Sequence, residues 1–154
     1  MKPIVFDMYG TLLDESRMFE KFFNHLKKKY PLVISKNDFL NEFFVQQRAF
    51  IFANVNKSFK EITKVSLKKV INTIDIVDVE VLFNLYSELN FFPGIRDLLK
   101  RLVQKYKLAI LTNTDNDLIE KINLSQKSPV KFNKIFTAEN NRVYKPNLKA
   151  YKIV

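Results

Sequence analysis

The sequence predicts an α/β protein in which a parallel sheet carries a long helical insertion. Three short apolar runs end in polar residues, as buried parallel strands do, and they lie at 4–6, 107–111 and 135–137. Helical patterns fill the interval between the first two runs and also separate the later ones. We therefore expect a core formed by residues 1–14 and 91–154, with residues 15–90 inserted as a helical cap subdomain.

The composition narrows the class of protein. With 154 residues, 47% hydrophobic and 27% charged, the chain is typical of a globular domain rather than of a disordered segment. The absence of cysteine excludes disulfides and thiolate chemistry, and the single histidine, His25, excludes a two-histidine metal site. The apolar runs are too short to span a bilayer, and the early Asp7 is unlike a signal peptide. The sequence therefore predicts a cytoplasmic protein with no membrane partner.

The charge of the chain favours anionic partners. Lysine and arginine number 26 against 16 acidic residues, which gives a formal net charge of +10. The lysines are spread along the chain, and the one triplet, at 27–29, is not interleaved with aromatic residues. We therefore expect a small anionic substrate and no specific nucleic-acid partner.

The helical insertion divides into four predicted helices. Apolar residues at i, i+3 and i+4 spacing, from Met18 to Leu26, predict the first helix, which Pro31 ends. Ser35 or Asn37 is expected to cap the second. The remaining two are predicted at 59–74 and 79–89, and no strand is expected within the insertion.

The second half of the chain alternates helices and strands. Pro93 and Gly94 mark a boundary, after which a helix is predicted at 95–102. The second strand follows, and a helix through Leu118 and Ile122 separates it from the third. A last helix is predicted from 147 to 154. This alternation indicates a parallel sheet.

Polar side chains follow the first two strands where each strand ends. Asp7 and Thr11 come after the first run, and Thr112 and Asn113 close the second. Because ligands gather at the carboxyl ends of parallel strands, we expect these side chains to form one site. A carboxylate such as Asp7, kept ionised by backbone N–H groups, can attack an electrophilic carbon or phosphorus. The alternative role for Asp7 is to cap a turn.

Three segments resemble the motifs of the haloacid dehalogenase (HAD) superfamily. The first motif is matched by VFDMYGTL at 5–12, and the second and third by LAILTN at 108–113 and VYKP at 143–146. The motifs stand in the order of that superfamily, and the resemblance covers nearly the whole chain. It implies a HAD-like Rossmannoid core with an inserted helical cap, and it identifies Asp7 as the catalytic nucleophile.

The residue two positions after Asp7 separates the branches of this superfamily. Its phosphatases usually carry a second aspartate there, which protonates the leaving group and helps to position Mg²⁺. Here the position is Tyr9, whose phenol, with an ordinary pKa near 10, is a poor general acid at neutral pH. Tyr9 and the spacing from Lys145 to Tyr151 are similar to the L-2-haloacid dehalogenase branch. That resemblance implies hydrolysis of short 2-haloalkanoic acids to 2-hydroxy acids, with no metal and no other cofactor.

The resemblance implies a two-step hydrolysis with four catalytic residues. Asp7 displaces halide from carbon 2 of the substrate and forms an ester, which water then hydrolyses. Lys145 stabilises the charge on Asp7, and Thr11 and Tyr151 orient these two groups.

The resemblance also implies how the substrate is bound. Thr112 and Asn113, with the backbone N–H groups of Met8 and Tyr9, are expected to hold the substrate carboxylate. The dehalogenase branch has an arginine early in its cap that accepts the leaving halide. Arg48 is expected to take that role in this chain. The other candidate is the arginine at position 17.

The end of the chain departs from the family pattern. The sequence stops at Val154, before the strand that carries the fourth motif, so we expect either a fragment of a longer protein or a truncated relative. In the family's sheet that strand lies beside the first strand. Without it the first strand is an exposed apolar edge, which predicts pairing with a second copy as a homodimer.

Two alternative functions stay open on the sequence. The first is a magnesium-dependent small-molecule phosphatase of the same superfamily, which would bind Mg²⁺ through Asp7. The second is a truncated, catalytically inert HAD-like protein that binds an anion or a partner, since one fold supports many functions.

Overall fold

A parallel sheet of three strands lies at the centre of the protein. The computed structural model describes residues 2–53 and 56–153. The strands in these residues are β1 (Pro3–Phe6), β2 (Leu13–Asp14), β3 (Asn90–Phe91), β4 (Lys107–Thr112) and β5 (Lys134–Thr137). The large sheet has the order β1-β4-β5. The middle strand, β4, is buried after its first residue, which explains its uninterrupted apolar sequence.

The helices surround this sheet and account for most of the chain. Four of them follow β2: α1 (Ser16–Lys29), α2 (Lys36–Phe52), α3 (Phe59–Val70) and α4 (Ile76–Leu85), which continues as a 3-10 turn at Tyr86–Glu88. The others are α5 (Ile95–Leu102), α6 (Asn116–Ile122), α7 (Leu124–Lys127), α8 (Ala138–Asn141) and α9 (Leu148–Tyr151). The predicted α/β class, with helices between parallel strands, is confirmed.

Local capping interactions set the helix boundaries in the insertion. The side chain of Ser35 accepts a hydrogen bond from the backbone of Asp38, so Ser35 is the N-cap of α2. Ser58 and Glu61 form a capping box at the start of α3. The sequence placed the start of α4 three residues too late, because Asp75 caps it through the backbone N–H of Val77. The predictions for the ends of α3 and α9 were too long.

The β2–β3 ribbon was not predicted. Leu13 pairs with Phe91 and Asp14 with Asn90 in an antiparallel arrangement. Strands of two residues are too short to show the alternating pattern by which strands are recognised. The ribbon lies where the chain enters and leaves the helical insertion, while the division into a core and a cap stays a prediction.

Phenylalanine side chains dominate the packing between α1 and α2. The rings of Phe39 and Phe43 are stacked with centroids 6.5 Å apart, and Phe22 and Phe23 pack against Phe39. Aromatic pairs of this kind contribute beyond their buried area. This apolar interior explains the strong helical pattern of the insertion.

The sheet register determines where the candidate site lies. Phe6, the last residue of β1, pairs with Ile110, and Thr112 pairs with Thr137. The carboxyl ends of all three strands therefore lie at one edge of the sheet. β1 is an outer strand, with Val5 38% exposed, and its pairing with a second copy stays a prediction. None of the helices in the described residues is both long and apolar enough to cross a membrane.

Candidate active site

Asp7 and Lys145 form an ion pair at the carboxyl end of the sheet. Lys145 Nζ lies 2.6 Å from Asp7 Oδ1 and donates a hydrogen bond of 2.9 Å to the carbonyl of Leu111. The backbone N–H of Met8 donates to the same Oδ1 at 2.7 Å. Oδ2 of Asp7 accepts no hydrogen bond from the described residues, and half of the side chain is exposed. The result is a fixed carboxylate with one oxygen left for a ligand.

Asn113 positions the segment that carries Lys145. Its amide nitrogen donates to the carbonyl of Lys145 at 2.9 Å, and its amide oxygen accepts from the backbone N–H of Lys145 at 2.7 Å. These two bonds join the end of β4 to the loop before α9. In this structure the side chain of Asn113 is therefore occupied by the protein backbone.

A cavity of about 400 Å³ opens beside Asp7. Its polar lining comes from both the sheet edge and the helices: Asp7, Tyr9, Glu15, Gln47, Arg48, Asn113, Lys145 and Tyr151. Phe44, Ile51 and Phe59 contribute an apolar wall. A second cavity of about 370 Å³ reaches Asp7 and Lys145 along the outer edge of β1. A larger cavity, of about 780 Å³ at α6 and α7, contains none of the motif residues.

Six of the nine predicted site residues line the first cavity: Asp7, Tyr9, Arg48, Asn113, Lys145 and Tyr151. Of the two candidate arginines, Arg48 lines this cavity and Arg17 is not in its lining. Tyr151 is 49% exposed, and it makes no hydrogen bond to Lys145.

The other three predicted residues lie apart from the cavity. Thr11 is exposed and makes no hydrogen bond to Asp7 or Lys145. The side chain of Met8 is fully buried, and its backbone N–H binds Asp7 rather than facing a ligand. Thr112 is 1% exposed, and its hydroxyl has no hydrogen-bond partner among the described residues. An unpaired buried hydroxyl is costly, which is typical of a position that a ligand or another group completes.

Tyr9 is neutral in this environment. Burial raises the pKa of its phenol well above the ordinary range, while a hydrogen bond of 3.2 Å to Thr114 works in the opposite direction. Its ring packs edge-on against Tyr86, with centroids 5.6 Å apart. A phenol with so high a pKa does not act as the carboxyl general acid found at this position in the phosphatases.

Glu15 is the cavity residue that the sequence analysis missed. It stands at the N-cap of α1 but makes no capping hydrogen bond. Its pKa is raised to about 7, chiefly by burial and then by the charges of Asp7 and Asp14. An acid just before a helix is normally explained as a cap, so the sequence carries no signal that separates Glu15 from that role.

The start of α3 is tied to the loop that follows β4. The carboxylate of Asp115 accepts hydrogen bonds of 2.9 Å from the backbone N–H groups of Phe59 and Lys60. Lys60 also pairs with Asp117, and the hydroxyl of Tyr144 donates to the carbonyl of Lys57 at 2.8 Å. These contacts hold Phe59 in the wall of the cavity.

The donor set beside Asp7 does not fit a magnesium ion. Mg²⁺ takes six oxygen ligands, and the described residues hold no group of three or more acidic or histidine side chains arranged for a metal. The cavity carboxylates are Asp7, which is ion-paired with Lys145, and Glu15. Among the described residues, those beside Asp7 therefore form no cluster of metal ligands.

One protein-family model covers all three motif segments. The model of the haloacid dehalogenase-like hydrolase family matches residues 4–154, and the chain belongs to that family. No curated protein matches the sequence significantly.

Solved structures of this family have the same fold at low sequence identity. The L-2-haloacid dehalogenase of Xanthobacter autotrophicus with chloropropionic acid covalently bound is 20% identical, with a TM-score of 0.76 over 99% of this chain and 63% of that chain. A defluorinating L-2-haloacid dehalogenase is 16% identical, with a TM-score of 0.77 over 99% of this chain and 66% of that one. The HAD-hydrolase YfnB of Bacillus subtilis bound to magnesium is 18% identical, with a TM-score of 0.78 over 99% and 71%. The chain thus spans about two thirds of the length of these structures.

Proposed function

We propose that the protein hydrolyses short 2-haloalkanoic acids to 2-hydroxy acids with Asp7 as the nucleophile. The observation that carries the proposal is the pairing at Asp7: Lys145 and the Met8 N–H hold Oδ1, while Oδ2 has no donor among the described residues. The covalent chloropropionic acid in the Xanthobacter structure supports the same class of substrate.

The first step is a displacement at carbon 2. Oδ2 of Asp7 attacks the carbon, the carbon–halogen bond breaks with its electron pair, and halide leaves. The product is an ester between Asp7 and the substrate. Lys145 keeps the carboxylate fixed, and this orientation lowers the entropic part of the barrier.

The second step is hydrolysis of that ester at the side-chain carboxyl carbon of Asp7. Water adds to this carbon, and negative charge develops on Oδ1. Lys145 and the Met8 N–H already contact Oδ1, so they form an oxyanion hole without rearrangement. Release of the 2-hydroxy acid restores the Asp7 carboxylate.

The cavity supports an anionic substrate with a small apolar part. Arg48 brings a positive charge that would accept the leaving halide, and Phe44, Ile51 and Phe59 would contact the alkyl chain. Thr112 lies outside the lining of the cavity, so its role near the substrate carboxylate rests on the motifs alone. Orientation by Thr11 and Tyr151 is part of the proposal that rests on the motifs alone.

The test is halide release from L-2-chloropropionate. We expect release in the presence of a chelator, and we expect Asp7→Asn to reduce it by about 10³-fold or more, because the nucleophile is removed. Asp97→Asn, at an acid whose side chain is 81% exposed on α5, is the matched control and should behave like the wild type. In ¹⁸O water, mass spectrometry of the digested protein should find the label in the peptide that contains Asp7.

The competing functions give different results in the same assay. Phosphate release from a small phosphate ester, blocked by chelator and by Asp7→Asn, would establish the phosphatase instead. No turnover of either substrate class by a folded wild-type protein would support the inert form that binds an anion or a partner. Binding of a small anion that the protein does not convert would be detected as a rise in its unfolding temperature.

A further inference from the structure

We propose that Glu15 is the general base that activates the hydrolytic water in the second step, an assignment that rests on the proposed dehalogenase function. Glu15 lines the same cavity as Asp7. It reaches this position because Gly10, at φ +68°, turns the chain back after Asp7, and the backbone N–H of Gly10 donates to the carbonyl of Leu13.

The carboxylate of Glu15 is directed towards the loop that follows Asp7. A Cβ placed on Gly10 would stand 3.9 Å from Oε2 of Glu15. Backbone hydrogen bonds from Leu12 and Leu13 to the carbonyl of Met8 keep that loop compact. Glu15 therefore belongs to the wall of the site rather than to the surface of α1.

Glu15 lacks the structural partners that other acids of this region have. Glu20 pairs with Lys36 and Glu88 with Lys21, both at the surface. Among the described residues Glu15 makes no ion pair and no side-chain hydrogen bond, although it occupies a helix N-cap. A partly buried carboxylate without a partner destabilises the fold, so stability does not account for it.

The charges around Glu15 suit a base that is needed only after the ester forms. Asp7, Tyr9, Asp14 and Tyr86 interact electrostatically with Glu15. Arg48, Lys145 and Tyr151 are the other ionisable groups that line its cavity. Burial is the main reason that the pKa of Glu15 is raised to about 7, and the charge of Asp7 is the next. Esterification neutralises Asp7 and removes that repulsion, which favours ionised Glu15 when water must be activated.

The proton balance of the step is complete. Ionised Glu15 takes one proton from water as its oxygen bonds to the carboxyl carbon of Asp7. The bond from that carbon to Oδ2 then breaks, and the departing oxygen takes the proton back from Glu15 to become the 2-hydroxyl group. The remaining water proton leaves Asp7 to solvent, so the protein ends in its starting state.

The decisive variant is Glu15→Gln, which keeps the shape of the side chain and removes the base. With L-2-chloropropionate we expect one equivalent of halide in a rapid burst, followed by turnover about 10²- to 10⁴-fold slower than in the wild type. The ester on Asp7 should accumulate and appear in the intact mass of the variant. Glu20→Gln makes the same change at an exposed acid of α1 outside the cavity, so it is the matched control and should turn over normally.

The pH dependence separates a catalytic role from a structural one. In the wild type kcat should fall as the pH drops, with a midpoint at or below about 7, and this limb should be missing in Glu15→Gln. Glu15→Asp should show the same fall of kcat at low pH, although its kcat is lower. This variant tests the assignment even if Glu15→Gln folds poorly.

Three results would overturn the assignment. Turnover of Glu15→Gln at the wild-type rate would exclude Glu15 as the base. Loss of the halide burst would also exclude it, provided that the variant is folded and its unfolding temperature equals that of the wild type. Ester trapping without the expected change in the pH profile would also contradict it. Absence of halide release from the wild-type protein would instead remove the proposed function, and the assignment with it.

Discussion

Two aspartates of this protein sit in opposite environments. Asp78, in α4, is 2% exposed, and both of its oxygens are bonded. His25 lies 2.8 Å from Oδ1, and Lys29 and Tyr30 donate to Oδ2 at 2.8 and 2.5 Å. Asp7 is half exposed, and its hydrogen bonds from described residues reach one oxygen only.

In the proposed mechanism, this difference separates a structural carboxylate, Asp78, from the nucleophile, Asp7. Burial acts to raise the pKa of Asp78, but the hydrogen bonds from Lys29, Tyr30 and His25 outweigh it and hold the pKa at about 2. With both oxygens saturated, Asp78 has no oxygen for a substrate. A carboxylate that is fixed on one side and open on the other, like Asp7, can both be oriented and react.

The lysines that contact the two aspartates, Lys145 at Asp7 and Lys29 at Asp78, provide the test with the largest expected effect. Lys145→Met should lower kcat by about 10²- to 10³-fold, because it removes an oxyanion-hole donor. Lys29→Met removes a lysine of the same type from Asp78 and should leave kcat unchanged while lowering stability. Halide release and urea unfolding on both variants measure the two effects. The comparison fails if Lys29→Met loses turnover or Lys145→Met retains it.

The aspartates themselves should differ in stability. Asp78→Asn places an amide N–H beside the donors of Lys29 and Tyr30 and should reduce the free energy of unfolding by about 2 kcal/mol. Asp7→Asn should change it by less than about 1 kcal/mol, since its side chain is half exposed. Equal destabilisation of the two variants would show that Asp7 is also a structural residue.

The smallest expected effect is the loss, at acid pH, of the stability that Asp78 contributes. The pKa of Asp78 is lowered from its ordinary value of 3.8 to about 2 in the folded protein, so its contribution is present above pH 3.8 and is lost as the pH falls through about 2. The difference in stability between the wild type and Asp78→Asn should therefore narrow by less than about 2 kcal/mol over this window. Urea unfolding at a series of pH values measures it, and a constant difference would contradict the proposed pairing.

Much of the fold was predictable because its signals are local. The strands β1, β4 and β5 are apolar runs. The start of α2 and the end of α1 each depend on a single residue, Ser35 and Pro31. The β2–β3 ribbon was missed because it depends on pairing between distant residues, Leu13 with Phe91, rather than on a pattern. Tertiary contacts decide such short strands.

The site residues that belong to a motif were predictable from the sequence. The residues that reach the cavity only through the folding of the chain were not. The motifs identified Asp7, Lys145 and Asn113, but they did not indicate that Asn113 is bonded to the backbone of Lys145. Glu15 was missed because only the turn at Gly10 brings it to the cavity. Side-chain direction and burial are properties of the folded chain, so no spacing in the sequence reports them.

The pairing of β1 with β4 also determines when the site forms during folding. Tyr9 and Thr114, whose hydroxyls meet beside the cavity, are 105 positions apart, and the insertion separates them. Helices α1 to α4 depend largely on nearby contacts, whereas closing so long a loop carries an entropic cost that slows folding. Because the ribosome makes the chain from the N-terminal side, Asp7 is synthesised before the helical insertion and β4, and it gains Lys145 only after both have been made.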